Sequence, residues 1–140
     1  MAQTEPVAKA GEKAVLFVDD DSGTLALELA VLAPYPSVRT LSARGAQEAL
    51  TLLLTERLDV AVVDLHLPGF SGIELSRRFR VAAPGAQTRI ILTSADGTGA
   101  AQAAKEPGIH AFLQKSFTAA RLWTTVRDAI PGGLEDYTAA

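Results

Sequence analysis

The chain has no cysteine, which excludes disulfides, thiolate nucleophiles and cysteine-ligated metals together. It also lacks a basic excess: 13 Lys and Arg stand against 16 Asp and Glu, for a formal charge of -3. The counterion-release drive of a nucleic-acid-binding surface is therefore missing. Arg77, Arg78 and Arg80 are the local exception and read as a solvated helix face. No apolar run approaches the roughly 18 residues needed to cross a bilayer, and the opening MAQTEPVAKAGEK has no apolar leader core. Repeats and low-complexity tracts are absent too. A soluble cytoplasmic protein with no membrane or direct nucleic-acid contact is expected. What is present is an ordinary globular composition, 48% apolar and 21% charged over 140 residues, enough for one domain and one core. That domain is expected over 13–130, between tails of linker composition at 1–12 and 131–140.

Short β-rich runs alternate with longer helical segments. AVLFVD (14–19) is continuously apolar before its aspartate, as a strand covered on both faces must be. A helix follows from Ser22, with Leu25, Leu29 and Leu32 on one stripe. SVRTLS (37–42) is a second, poorer strand, and ARGAQEALTLLLTER a helix with Ala46, Leu50, Leu53 and Leu54 on its inner face. VAVVD (60–64) is the third strand, LPGFSG a loop by its proline and glycines, and Gly72 to Val81 a helix with Ile73 and Phe79 inward. RIILTS (89–94) and AFLQK (111–115) are strands four and five; Ala119 to Ile130 closes the chain with Leu122, Val126 and Ala129 inward. The segment ADGTGAAQAAKEPG between the last two strands has helix-favouring alanines opposed by Gly97, Gly99 and Pro107, and no large apolar anchor. A short or mobile fourth helix is expected there. Strands alternating with helices require right-handed crossovers, hence a parallel, doubly wound α/β sheet with helices on both faces.

LFVDDDSGTL (16–25) crowds three carboxylates after a buried run. Two such charges about 4 Å apart repel by roughly 4 kcal/mol near a protein surface, so a cation is expected among them. In an open parallel sheet ligands bind beyond the carboxyl ends of the strands. Those ends carry Asp19, Asp20 and Asp21, then Asp64, then Thr93 and Ser94, and finally Lys115. The carboxylates make a hard oxygen site suited to Mg2+, which keeps waters and a substrate phosphate in its shell. An ammonium and a hydroxyl beside it suit a phosphoryl group. Asp21, followed by Ser22, reads first as a helix cap.

These residues resemble the receiver domain of two-component response regulators over about 13–130. FVDDDS is similar to its acidic pair, VVDLHLPGFSGIEL to its phosphoacceptor strand and loop, IILTS to its hydroxyl position and AFLQKSF to its lysine position. The resemblance implies a (βα)5 flavodoxin-like fold with strand order 2-1-3-4-5. It implies that Asp64 accepts a phosphoryl group from a histidine kinase or phosphotransfer protein, with Asp20, Asp64 and the His66 backbone carbonyl ligating Mg2+ and Asp19 acting through water or as a closer electrostatic neighbour. Lys115 would pair with Asp64 and then with the phosphoryl oxygens. Thr93 would donate its hydroxyl, and Phe112 would occupy the place of the switching aromatic. Such a protein is a signalling domain whose only chemistry is its own phosphotransfer and dephosphorylation, read by a downstream effector protein or domain through the surface of helix four, strand five and helix five.

Ser116 stands where the family usually has proline, and the weak fourth helix is a second departure. Both favour a receiver-fold binding module that no longer switches, while Asp20, Asp64, Thr93 and Lys115 oppose it. DDDSGTL also resembles, with one residue too many, the opening motif of haloacid dehalogenase-like phosphatases. Asp128, Glu135 and Asp136, the only acids after Lys115, close no strand, and Asp64 would have no role in such an enzyme. His66 and His110 read as packed or solvated side chains, and Trp123 as packing.

Overall fold

A computed structural model describes residues 12–82, 87–97 and 99–131. Apart from Glu12 and Pro131, both expected tails lie outside the described residues. The strands and helices run β1 (Lys13–Val18), α1 (Ser22–Leu32), β2 (Val38–Ala43), α2 (Ala46–Thr55), β3 (Val60–Asp64), β4 (His66–Leu67), β5 (Phe70–Ser71), α3 (Gly72–Val81), β6 (Arg89–Ser94), α4 (Ala100–Lys105), β7 (Ile109–Gln114) and α5 (Ala119–Ala129). The main sheet has five parallel strands in the order β2-β1-β3-β6-β7. Once the small β4-β5 hairpin is set aside, this is the expected 2-1-3-4-5.

Both faces of the sheet are covered, which is why its central strands are continuously apolar over 14–18, 60–63 and 90–92. The side-chain alternation of a strand sorts them cleanly. Leu16, Val18, Ala61, Val63, Ile90 and Leu92 join Leu53, Phe79 and Ala103 in one core. Val15, Phe17, Val60, Val62, Ile91 and Leu113 join Leu25, Leu32, Leu122, Val126 and Ala129 in the other. The second alternation positions the site. Carried past the apolar part of each strand, the series 15-17, 60-62, 91 and 113 reaches Asp19, Asp64, Thr93 and Lys115. The register sets Val18 beside Val63 and Asp64 beside Thr93, so Asp19 falls on the same rung as Asp64.

Several expectations are corrected. Leu54 is 67% exposed; the inner face of α2 is carried by the buried Ala49 and Leu53, with Ala46 and Leu50 partly covered. That helix starts at Ala46 because Ala43 is still paired with Val18 in the sheet. LPGFSG is not wholly loop: His66 pairs with Ser71 and Leu67 with Phe70 across a Pro68-Gly69 turn, with Gly69 at φ 69°. Strand five runs from Ile109 to Gln114, leaving Lys115 just beyond it. The fourth helix is short, as expected, at six residues. Among the described residues no helix is long and apolar enough to cross a membrane.

Candidate functional site

Lys115 is the centre of the site. Its backbone N-H donates to the Ser94 carbonyl at 2.8 Å, which holds it to the end of β6 although no proline follows. Its Nζ then lies 2.8 Å from Asp19 Oδ2 and 3.1 Å from Asp64 Oδ2. The two buried carboxylates are built alike. Asp19 Oδ1 accepts the Asp21 N-H at 2.9 Å, and Asp64 Oδ1 accepts the His66 N-H at 3.2 Å. Each side chain thus orders the chain two residues ahead of it, a turn habit of aspartate, and keeps its second oxygen for the ammonium.

Burial raises the Asp19 carboxyl above the ordinary aspartate value; the hydrogen bonds from Lys115 and the Asp21 N-H pull the other way, and the charge of Asp64 raises it further. For Lys115 burial pulls the ammonium down, but the bonds and charges of Asp19 and Asp64 outweigh it and leave its pKa raised. The ammonium is firmly cationic and still insufficient. Asp19, Asp20 and Asp64 bring one oxygen each within 4.8 Å of one another, and one ammonium leaves two of those three charges without a counterion. Asp20 is exposed and opens onto a groove of about 680 Å3 that includes Leu65, His66, Pro68, Gly99 and Gln102. An all-oxygen donor set, excess negative charge and an open side fit a hard divalent cation.

The other expected residues are placed as follows. Thr93 is 1% exposed and its Oγ1 has no hydrogen-bond partner, while its carbonyl accepts the Leu65 N-H at 2.8 Å, directly after Asp64. An unpaired buried hydroxyl costs about 1–3 kcal/mol, so this one stands ready for an acceptor. Phe112 is half-buried on β7 and borders, with Ala100, Ala103 and Ala104 of α4, a pocket of about 270 Å3. Asp21 caps α1: Oδ2 accepts the Thr24 N-H at 2.9 Å and the Thr24 hydroxyl at 2.6 Å. These bonds hold its carboxyl below the usual range.

Three contributors were not foreseen. Gly72 opens α3 so close to the acceptor strand that a Cβ there would sit 2.5 Å from the Asp64 carbonyl oxygen. Arg44 reaches from the end of β2 to donate to the Asp20 carbonyl at 3.2 Å. Glu28 of α1 is buried although it carries a charge-bearing group. Only Glu28 left a mark in the sequence, at spacings of three from Leu25 and four from Leu32.

Residues 15–127 match the model of the response regulator receiver domain family. The sensory/regulatory protein RpfC of Xanthomonas campestris pv. campestris is 33% identical over 116 residues, covering 81% of this chain. The chain spans only 16% of that relative's length. Sporulation initiation phosphotransferase F of Bacillus subtilis is 28% identical, covering 84% of this chain and 93% of that protein. Among solved structures, the signal receiver domain of an HD domain-containing protein from Pseudomonas fluorescens Pf-5 superposes with a TM-score of 0.76 at 28% identity, covering 84% of this chain and 94% of that one.

Proposed function

The chain belongs to the response regulator receiver family, a family of signalling domains, and from that premise we propose that Asp64 is its phosphoacceptor. The donor is the phosphohistidine of a sensor histidine kinase or phosphotransfer protein, and the transfer takes place in the cytoplasm. The observation that carries the reading is the placement of one ammonium, Lys115, between two buried carboxylates at the carboxyl edge of the sheet.

In the transfer, an Asp64 carboxylate oxygen attacks phosphorus in line. The P-O bond forms as the P-N bond to the donor imidazole breaks, and the imidazole leaves with its bonding pair. Little covalent work falls to the protein, so position and charge do most of the catalysis. Asp20, Asp64 and the His66 carbonyl would hold Mg2+, with Asp19 acting through water; bound there, Mg2+ supplies charge neutralisation for the phosphoryl oxygens. Lys115 leaves the Asp64 carboxylate for a phosphoryl oxygen and keeps Asp19. The product carries about 1.5 to 2 added charges and new acceptor oxygens, and the unpartnered Thr93 hydroxyl gains one of them as a partner. That contact exists in only one state, as a ligand-driven bias requires. Drawing Thr93 inward shifts the loop after β6 and, with Phe112, the α4-β7-α5 surface that an effector protein or domain would read.

The test is transfer from a phosphorylated histidine-containing donor. Wild type should gain label as the donor loses it, and Asp64→Asn should gain none; equal labelling of both proteins would overturn the assignment. The six-residue α4 and Ser116 favour a second reading, a module that no longer switches. Hydrogen exchange would distinguish it: phosphorylation of Asp64 with no change in protection along α4 and β7 identifies that module.

A further inference from the structure

The face of α1 turned to the sheet is Leu25, Glu28 and Leu32. Two leucines are what a buried helix stripe calls for; the glutamate between them is not. Its side chain is as enclosed as theirs at 1% exposure, and neither Oε1 nor Oε2 has a hydrogen-bond partner. A carboxylate in that position would be among the most expensive groups a small domain can bury, so in this environment the proton stays on.

The surroundings define what Glu28 can sense. The inward side chains of α5, the helix most heavily packed on α1, are Leu122, Val126 and Ala129, all apolar; Arg121, Arg127 and Asp128 of that helix are exposed. The strands beneath contribute Val15, Phe17, Val60 and Val62. Among the described residues, the charged groups that act on Glu28 are at the site: Asp19 at the end of β1, Asp64 at the end of β3, and Lys115 beyond β7. Burial, reinforced by the charge of Asp19, pushes the Glu28 carboxyl up to about 8, with Lys115 pulling down and Asp64 adding to the rise. No hydrogen bond joins it to any of them.

We propose that Glu28 is a buried proton store behind the acidic site: it is neutral when the site lacks a divalent cation and gives up part of its proton to solvent when one binds. Cation affinity is thereby linked to pH through a side chain that does not touch the ion. The inference rests on the site reading above. Burial supplies the largest part of the rise and is unchanged by a cation, but two positive charges arriving beside Asp19 and Asp64 offset the part those carboxylates add. The Glu28 pKa therefore falls and part of its proton is released, and by reciprocity removing that proton strengthens cation binding. Glu28 is in this sense a positioning residue for charge, not a ligand.

The experiment is Mg2+ titration of the full chain by calorimetry, in buffers of different ionisation enthalpy, from pH 6.5 to 8.5. Wild type should release roughly half a proton per Mg2+ near pH 7.5, and its Kd should fall about three- to tenfold across the range. Glu28→Gln keeps the shape and fixes the neutral state, and Glu28→Leu removes the polar group from a leucine-lined stripe. Both should lose the proton release and vary less than about twofold. Asp19, His66 and Lys115 are present in all three proteins, so the difference between them reports Glu28. If either folded variant releases as many protons as wild type, the coupling is overturned while the Mg2+ site stands. If no protein binds Mg2+ at any pH, the site reading itself falls, and the coupling with it.

Discussion

Two buried acidic regions lie on the same side of the sheet and are handled in opposite ways. At the strand ends, Asp19 and Asp64 are nearly covered, yet each has a backbone N-H on one oxygen and Lys115 near the other. Inside α1, Glu28 is equally covered and has neither. Burial raises a carboxyl's pKa; a positioned donor and an ammonium pull against that rise. The contrast separates carboxylates gathered around one shared ammonium, more of them than it can offset, from a lone carboxyl that burial holds neutral.

The sharpest way to break the contrast is Glu28→Leu. The folded carboxyl keeps its proton up to about pH 8, whereas its ordinary value is 4.5. Between these values the unfolded chain ionises first, so the folded state holds more protons and its stability falls as pH rises. The leucine variant should therefore gain little near pH 4.5 and about 4 kcal/mol by pH 8.5 in the absence of Mg2+, measured by urea unfolding at each pH; a gain independent of pH would show Glu28 to be already paired. Next is Lys115→Ala, which leaves Asp19 and Asp64 facing each other. A loss of about 2 kcal/mol in EDTA is expected, at or below the low end for a broken buried pair because the ammonium is partly solvated, and Mg2+ should recover part of it. No loss in EDTA would mean that the ammonium does not hold the strand ends together. The smallest effect is that of Asp21→Ala, a slight loss of stability for the missing cap, with Mg2+ affinity unchanged within about twofold; a large drop in affinity would move Asp21 from cap to ligand.

The strand ends were legible because each carries its polar residue directly after an apolar run, so order along the chain converted into one edge. Glycines 97 and 99 and Pro107 likewise announced the short α4. Gly99 caps it at φ 89° without a side-chain bond, and Glu106, set before proline, is already extended at ψ 124°. Residues whose roles depend on approach between elements were not legible. Gly72 matters through its distance to the Asp64 carbonyl, and Arg44 through a reach from the end of β2 to Asp20 beyond the neighbouring β1. Leu54 was misplaced because the LLL run at 52–54 satisfies several helix faces, and packing chose the one through Ala49 and Leu53. Glu28 was overlooked because Leu25, Leu29 and Leu32 already made a stripe, although Leu25, Glu28 and Leu32 is the row that is buried.

The account stands most directly on where a phosphoryl group goes. Incubation with a small phosphoramidate donor, followed by intact mass and reductive peptide mapping, should show one phosphoryl group per chain, located at Asp64 and formed only when Mg2+ is present. Label of equal extent in EDTA, or label on a residue other than Asp64, would contradict it.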